Sequence, residues 1–364
     1  MSQDLKSPVV VMAGGTGGHV FPALAVAEAL RSRGEQVIWF GTRAGIEARV
    51  AVEAAFPVEW LDVQGLRGKS VMTLLLAPFR LLRASWQALQ ILRRHRPRAV
   101  LDMGGFVSGP GGLVAWLLHI PLFLHEQNSI VGLTNRILSR FARRSYVAFP
   151  AVAAVLPRSE YIGNPLRADF DQLEDSLSVL EMRIQQPLQL LVLGGSLGAN
   201  ALNHLLPQAL AYVDSNLRPT VRHQCGERHH EVCEQHYRDA GVEAEVVSFI
   251  DDMYEAYSWA DLVICRAGAL TVAEIMAVGR AALFVPFPYA VDNHQYHNAL
   301  YLQQAGAAQI MIEAEISAQS LALKLQFFQQ NRDMLVNMAH AAREVYQPGA
   351  ASRLADDILR EVAA

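Results

Sequence analysis

The chain reads as an α/β protein of two Rossmann-like domains, each with a parallel sheet, the two facing a cleft. Three observations predict this. Short apolar runs alternate with helix-length segments. Several of those runs end in glycine-rich turns at the point where a helix opens. The same order of parts then recurs: a glycine loop, a second glycine turn, and a strand ending in a polar cluster.

The first half sets out the plan. Val9–Met12 is a strand leading into the loop Ala13-Gly-Gly-Thr-Gly-Gly-His19, and a helix is expected over Phe21–Ser32. Gln36–Phe40 is a strand, Gly45–Ala54 a helix and Val58–Val63 a strand. Met72–Arg94 reads as one or two helices broken near Pro78. Ala99–Met103 is a strand into a second loop, Gly104-Gly-Phe-Val-Ser-Gly109. A helix around Leu113–Leu118 leads to a strand at Pro121–Leu124, followed by the polar run His125-Glu-Gln-Asn128. The pattern breaks near Ile162-Gly-Asn-Pro165, and a polar, acidic stretch up to Gln186 reads as a linker. The plan then restarts. Leu190–Leu193 is a strand into Gly194-Gly-Ser-Leu-Gly-Ala199, which opens a helix through Leu210. Leu262–Cys265 is a strand into Arg266–Thr271, which opens a helix through Val278. Ala282–Val285 is a strand, followed by the polar run Asp292–Gln295. Arg332–Val362 reads as amphipathic helix.

Composition narrows the class. At 364 residues, 52% of them hydrophobic, the chain has material for two large cores and too few polar residues for disorder. Three cysteines without framework spacing point to reduced thiols in the cytoplasm. No secretory signal is expected at the start, and no apolar run approaches the ~18 residues that span a bilayer. The net charge of −4 conceals an asymmetry. Residues 1–163 hold 18 Lys and Arg against 10 Asp and Glu, a net of +8, and the remainder hold 13 against 25, a net of −12. The first half is therefore expected to meet something anionic.

Strand, glycine loop and helix in that order aim unpaired backbone N–H groups at an anion, and a histidine closing the loop brings a side chain that ordinarily titrates near neutral pH. A dinucleotide site fits poorly. Val20 stands where the third glycine belongs, and no acid closes the second strand. Gly65–Ser70 is too short between its glycines for a Walker loop. His229, His230, Cys233 and His236 share helical spacing for a metal, but Glu227, Glu231 and Glu234 beside them favour a solvated polar helix. Gly194-x-Ser196-x-Gly198 approaches a nucleophile elbow, yet no acid and histidine partner it.

Residues 63–101 carry eight Lys and Arg and no acid. Among them, Lys69, Leu75, Phe79, Arg80, Leu82, Arg83 and Trp86 combine apolar and basic groups as an interfacial helix at an anionic membrane does. Arg136, Arg140, Arg143 and Arg144 extend the patch. The competing interpretations are a core helix with a solvated basic face and a nucleic-acid surface. The aromatic residues do not interleave as a stacking platform would, so no nucleic acid is expected.

Six motifs together resemble one family. They are Met12–Pro22, Gly65-Leu-Arg-Gly-Lys69, Gly104–Gly112, His125–Asn128, Gly163-Asn-Pro165 and Gly268–Glu274. The chain is similar along nearly its whole length to the MurG family of peptidoglycan N-acetylglucosaminyltransferases. The resemblance implies the two-domain glycosyltransferase B-type fold. Residues 1–163 would form an acceptor-binding, membrane-associating domain and 164–340 a UDP-sugar domain, with a helix over 341–364 packing back across the first. It implies an inverting transfer of N-acetylglucosamine from UDP-N-acetylglucosamine to the 4-hydroxyl of the lipid-linked N-acetylmuramoyl-pentapeptide, lipid I to lipid II. The setting would be the cytoplasmic face of the bacterial inner membrane, peripherally bound, with cell-wall synthesis proteins as further partners.

The resemblance also suggests residue roles. On the donor side, Ile250 meets the uracil through its backbone, and Glu274 accepts the ribose hydroxyls. Gln295 and Asn128 hold the sugar. Ser196, Arg167 and the helix start Ala269, Leu270, Thr271, Val272 and Ala273 stabilise the leaving diphosphate in place of a metal, so no cofactor is expected. Gly14, Gly15, Gly104, Gly105 and Ser108 cradle the acceptor diphosphate, and Thr16, Gly17 and Gly18 are expected to serve that cradle and the donor. The base is His19 or, failing that, Glu126; His19 could instead make a structural hydrogen bond or a diphosphate contact. The family often carries Tyr where Phe106 stands and Gln where His294 stands, so Phe106 receives no polar role and His294 a weaker one. The alternative with the same fold is a UDP-N-acetylglucosamine 2-epimerase or hydrolase, which would have no use for the basic, apolar stretch. A dehydrogenase is disfavoured by the failed dinucleotide fingerprint, and a membrane scaffold would leave the donor motifs without a purpose.

Overall fold

The computed structural model describes residues 7–63, 77–171, 176–195 and 198–363. The chain divides into two compact units, residues 1–168 with 347–364 and residues 169–346.

Among the described residues the first unit has seven parallel strands: β1 (Val9–Met12), β2 (Val37–Gly41), β3 (Val58–Trp60), β4 (Ala99–Asp102), β5 (Leu122–Glu126), β6 (Arg144–Val147) and β7 (Ser159–Tyr161). Their order across the sheet is β3-β2-β1-β4-β5-β6-β7. β1, β2, β4 and β5 are buried throughout, as strands covered by helices on both faces must be. Their apolar side chains join a core with helix Gly17–Ser32 and with Ala350, Ala351, Leu354, Ala355 and Ile358 of helix Ala350–Ala363. β1 lies between β2 and β4, and β4 pairs with β5. The loops after β1, β4 and β5 therefore emerge at one sheet edge, where parallel sheets bind ligands.

The second unit has six parallel strands among the described residues: β8 (Gln189–Leu193), β9 (Thr220–Gln224), β10 (Glu245–Val247), β11 (Leu262–Cys265), β12 (Ala281–Phe284) and β13 (Ala308–Ile310), in the order β10-β9-β8-β11-β12-β13. Cys265 pairs with Leu193 on one side and Phe284 on the other. That register aligns the ends of β8, β11 and β12, and the segments beginning at Gly194, Arg266 and Val285 leave side by side.

Several sequence expectations are corrected in detail. The first helix opens at Gly17, not Phe21. Pro22 lies inside it. β5 runs on to Glu126, so His125 and Glu126 belong to the strand. The stretch expected to be a linker contains the short helices Ala168–Asp171 and Ser176–Met182. The single last helix is two, Arg332–Glu344 and Ala350–Ala363. Pro348 and Gly349, the latter at φ +72°, stop the first and start the second. Short β6, β7, β9, β10 and β13 carry too little periodicity to be anticipated. Gly65–Ser70, Lys69, Leu75 and Ser196 lie outside the described residues.

Candidate active site

In the first unit two glycine loops meet. Gly105, at φ +96°, lies so close to Gly14 that a Cβ on it would fall 2.2 Å from the Gly14 carbonyl oxygen. Gly104 has the same φ, and a Cβ there would fall 2.7 Å from Nδ1 of His19. Only glycine permits this interlock. Each loop is supported by a buried carboxylate. Glu47 accepts from the Gly15 N–H at 3.0 Å, from the Thr42 N–H at 2.8 Å and from the Thr42 hydroxyl at 2.7 Å. Asp102 accepts from the Gly104 N–H at 2.8 Å and from the Ser108 hydroxyl. Burial pushes Asp102 up to about 6 despite these bonds.

His19 stands in the first turn of helix Gly17–Ser32. Its Nδ1 is 3.1 Å from Oε1 of Gln127, whose Nε2 donates to the Met103 carbonyl at 2.8 Å. Thr16, the exposed residue before the helix, is extended and makes no capping bond, so the Gly17 and Gly18 N–H groups have no capping side chain among the described residues. That is the arrangement expected of an anion loop. Two expected site groups are already engaged. The Ser108 hydroxyl is buried on Asp102, and the Gly15 N–H belongs to Glu47.

Glu126 departs from its expected role as a second base. It is 2% exposed, and its carboxylate accepts from the Asn128 N–H at 3.1 Å, the Gly132 N–H at 3.0 Å and Asn135 Nδ2 at 2.9 Å. An acceptor so fully occupied holds the loop after β5 and has no ready lone pair for a substrate proton. Asn128 Nδ2 also lies 3.5 Å from it. Neighbouring His125 is buried, bonded through Nε2 to the Gly163 carbonyl at 3.0 Å, and pushed down to about 4 by desolvation.

In the second unit, helix Ala269–Val278 opens after Gly268 with no side-chain cap, leaving the N–H groups of Ala269, Leu270 and Thr271 uncapped. Val272, Ala273 and Glu274 continue that helix and are buried. Glu274 Oε2 accepts from the Tyr257 hydroxyl at 3.0 Å. Asn298 ties this region to its neighbour by donating to the Ala267 carbonyl at 3.1 Å, and Gln295 Oε1 accepts from the Phe287 N–H at 2.9 Å. Ile250 is half-buried in the loop after β10. Gln224, which the motifs did not single out, joins that loop to the glycine turn. It bonds both backbone groups of Gly195, at 2.9 and 3.1 Å, and the Ser248 carbonyl at 3.0 Å. Arg167 is half-buried in the first unit.

The histidine cluster is structural. His230 Nε2 bonds the Val246 carbonyl, His236 Nδ1 bonds the Asn203 carbonyl, and Cys233 is buried in the core. No cluster of three or more His, Cys, Asp or Glu suited to a metal occurs among the described residues. All three cysteines are free and buried.

Most of the exposed large apolar side chains of the first unit lie on three packed helices, with Val52, Phe106, Phe141 and Val155 elsewhere. Phe79 (70% exposed), Leu82 (68%) and Trp86 (60%) lie on helix Ala77–His95 with exposed Arg80 and Arg83. Trp116 and Leu117 lie on helix Ser108–Leu117, and Leu133 and Ile137 on helix Leu133–Leu138, which packs against it. Arg83 is engaged by Asp62 at 2.7 Å. No helix among the described residues is long and apolar enough to cross a membrane.

The profile of the glycosyltransferase family 28 N-terminal domain matches residues 9–147, and that of the C-terminal domain matches residues 189–354. The chain belongs to glycosyltransferase family 28. Within the family, it is 53% identical over 351 residues to a protein of Nitrosococcus oceani, covering 96% of this chain and 98% of the relative. It is 52% identical over 359 residues to one of Alkalilimnicola ehrlichii, covering 98% and 99%. Both are named UDP-N-acetylglucosamine–N-acetylmuramyl-(pentapeptide) pyrophosphoryl-undecaprenol N-acetylglucosamine transferase. A crystal structure of Acinetobacter baumannii MurG superposes with a TM-score of 0.83 at 40% identity, covering 97% of this chain and 99% of that one. The two family 28 domains correspond to the two parallel sheets described above, the glycosyltransferase B-type arrangement.

Proposed function

We propose that this chain moves N-acetylglucosamine from UDP-N-acetylglucosamine to the 4-hydroxyl of the undecaprenyl-diphosphate-linked N-acetylmuramoyl-pentapeptide, with inversion, converting lipid I to lipid II in peptidoglycan synthesis. The observation that carries this reading is 53% identity across 96% of the chain to a relative named for that transfer. His19 acts as the base. The N–H groups of Gly17 and Gly18 receive the acceptor diphosphate. The leaving UDP diphosphate meets the start of helix Ala269–Val278, where uncapped N–H groups and the helix dipole offset its growing charge. Glu274 receives the ribose hydroxyls beside Tyr257, Ile250 meets the uracil through its backbone, and Gln295 offers its NH2 to the sugar because its Oε1 is held by Phe287. No cofactor enters this reading.

The three-helix apolar face with Arg80, Arg136 and Arg140 holds the protein peripherally at the cytoplasmic face of the inner membrane. The product formed there serves wall growth and, through it, cell shape, division and the cell cycle, with wall-synthesis proteins as neighbours.

The test is radiolabelled UDP-N-acetylglucosamine with and without a lipid I analogue, in the presence and absence of EDTA. Label is expected only in the lipid and at the same rate under both conditions. Epimerised or free sugar formed without the acceptor would favour the epimerase or hydrolase and overturn the transfer.

A further inference from the structure

We infer that Gln127 is a positioning residue that fixes which nitrogen of His19 is free to take a proton. This rests on the reading of His19 as the base and concerns how that base is set up.

Gln127 follows β5 and is fully buried. Its amide can be turned only one way. Nε2 donates to the Met103 carbonyl at 2.8 Å, and the reverse orientation would bring two oxygens together, neither with a proton to share. Oε1 is therefore the atom 3.1 Å from His19 Nδ1. A neutral imidazole carries one proton, and the nitrogen facing an acceptor-only oxygen carries it. Nδ1 is thus the N–H. Nε2 keeps its lone pair and has no hydrogen-bond partner among the described residues. A base that removes a hydroxyl proton needs that lone pair.

Among the described residues, Gln127 is the one side chain bonded to the His19 ring. Ionisable groups approach from each neighbouring element: Glu47 beneath the first loop, Asp102 at the end of β4, and His125 and Glu126 at the end of β5. Glu47, Asp102 and Glu126 are each bonded to loop groups, and His125 to Gly163. None of the four bonds the His19 ring. Gly104, which has no Cβ, gives the ring room without bonding it.

In the transfer, the acceptor O–H proton goes to Nε2 as the new C–O bond forms at the sugar. The sugar–phosphate C–O bond breaks, and its electron pair leaves with UDP. Nδ1–H stays on Gln127 throughout. A neutral amide orients the ring without the added attraction to imidazolium that a carboxylate exerts.

Two measurements test this. Nitrogen NMR of the wild-type protein labelled at histidine, with His19 assigned by its loss in His19→Gln, is expected to show the proton on Nδ1 in the neutral ring. A proton on Nε2 would overturn the inference, and this measurement needs no variant at Gln127. The second is the pH profile of kcat/KM for Gln127→Glu, with folding checked by calorimetry. Its acid limb is expected about one unit above the wild-type limb, because the new carboxylate favours imidazolium. An unmoved limb in a folded variant would show that Gln127 only packs. His19→Ala separates the two readings. Turnover at the wild-type level would remove His19 as the base and the catalytic meaning of Gln127 with it, whereas a large loss with an unmoved limb would remove Gln127 alone.

Discussion

Buried carboxylates shape the loops of the first unit more than the glycines reveal. Glu47, Asp102 and Glu126 each gather backbone N–H groups that a glycine-rich turn would otherwise leave unpaired. Asp102 has a consequence for pH. Burial lifts it from the usual 3.8 to about 6, so the folded protein holds this proton more tightly than the unfolded chain. Its contribution is complete below about pH 4 and is lost as pH rises through about 6. His125 has the opposite sign. Desolvation lowers it to about 4, so its contribution is present above its usual 6.5 and lost as pH falls toward 4. Asp102→Asn removes the first effect and keeps the second. The stability advantage of wild type over Asp102→Asn should therefore widen as pH falls from about 6 to about 4, by about 2–3 kcal/mol. Urea unfolding across that range measures it, and a constant gap would show that Asp102 does not hold its proton in the folded state. None of the three supports was legible in the sequence as a support. Glu47 meets Gly15 across 32 residues, and a glutamate in the first turn of a helix looks like any solvated one. Glu126 stands in a four-residue polar motif that suggests reactivity, where the structure shows a carboxylate occupied by Asn128, Gly132 and Asn135.

The strands next to glycine loops were the most legible elements. Val9–Met12, between Pro8 and Ala13, and Leu262–Cys265, between Asp261 and Arg266, are apolar throughout and each leads into a glycine turn, and the structure reproduces both ranges. Edge strands such as β7 and β10 are three residues long, below the length at which alternation can be read. Helix Ala77–His95 shows what periodicity does convey. Ala84, Ala88, Ile91 and Leu92 are buried, whereas Phe79, Leu82 and Trp86 face solvent. The buried set explains the helix, and the exposed set requires a use. If that use is a membrane surface, Leu82→Ser and Trp86→Ser should each weaken binding to vesicles rich in anionic lipid by about tenfold or more, since burying such a side chain contributes about 1.5–3 kcal/mol. Vesicle co-sedimentation measures this, and retention at the wild-type level would assign the face to something else.

At the scale of the molecule, the charge follows the two units. Residues 1–168 with 347–364 hold 21 Lys and Arg against 13 Asp and Glu, a net of +8, and residues 169–346 hold 10 against 22, a net of −12. The unit that carries the exposed apolar helices is therefore the basic one. The first unit is completed by the end of the chain. Ala350, Ala351, Leu354, Ala355 and Ile358 lie in its core against helix Gly17–Ser32, and Arg33 binds Asp356 through two bonds of 2.6 and 2.9 Å. Ending the chain after Gly349 should abolish the calorimetric transition of the first unit and preserve that of residues 169–346. Survival of both transitions would make the last helix an accessory.

That returning helix also sets an order of assembly on the ribosome. Residues 169–346 are contiguous and can close their core while the remainder is still being made. The sheet that begins at Val9 must wait, because part of its covering layer is translated after residues 169–346. The unit synthesised first is therefore the one that finishes folding second. Until that helix emerges, its half-covered apolar strands are the part of the nascent protein that a chaperone has reason to hold.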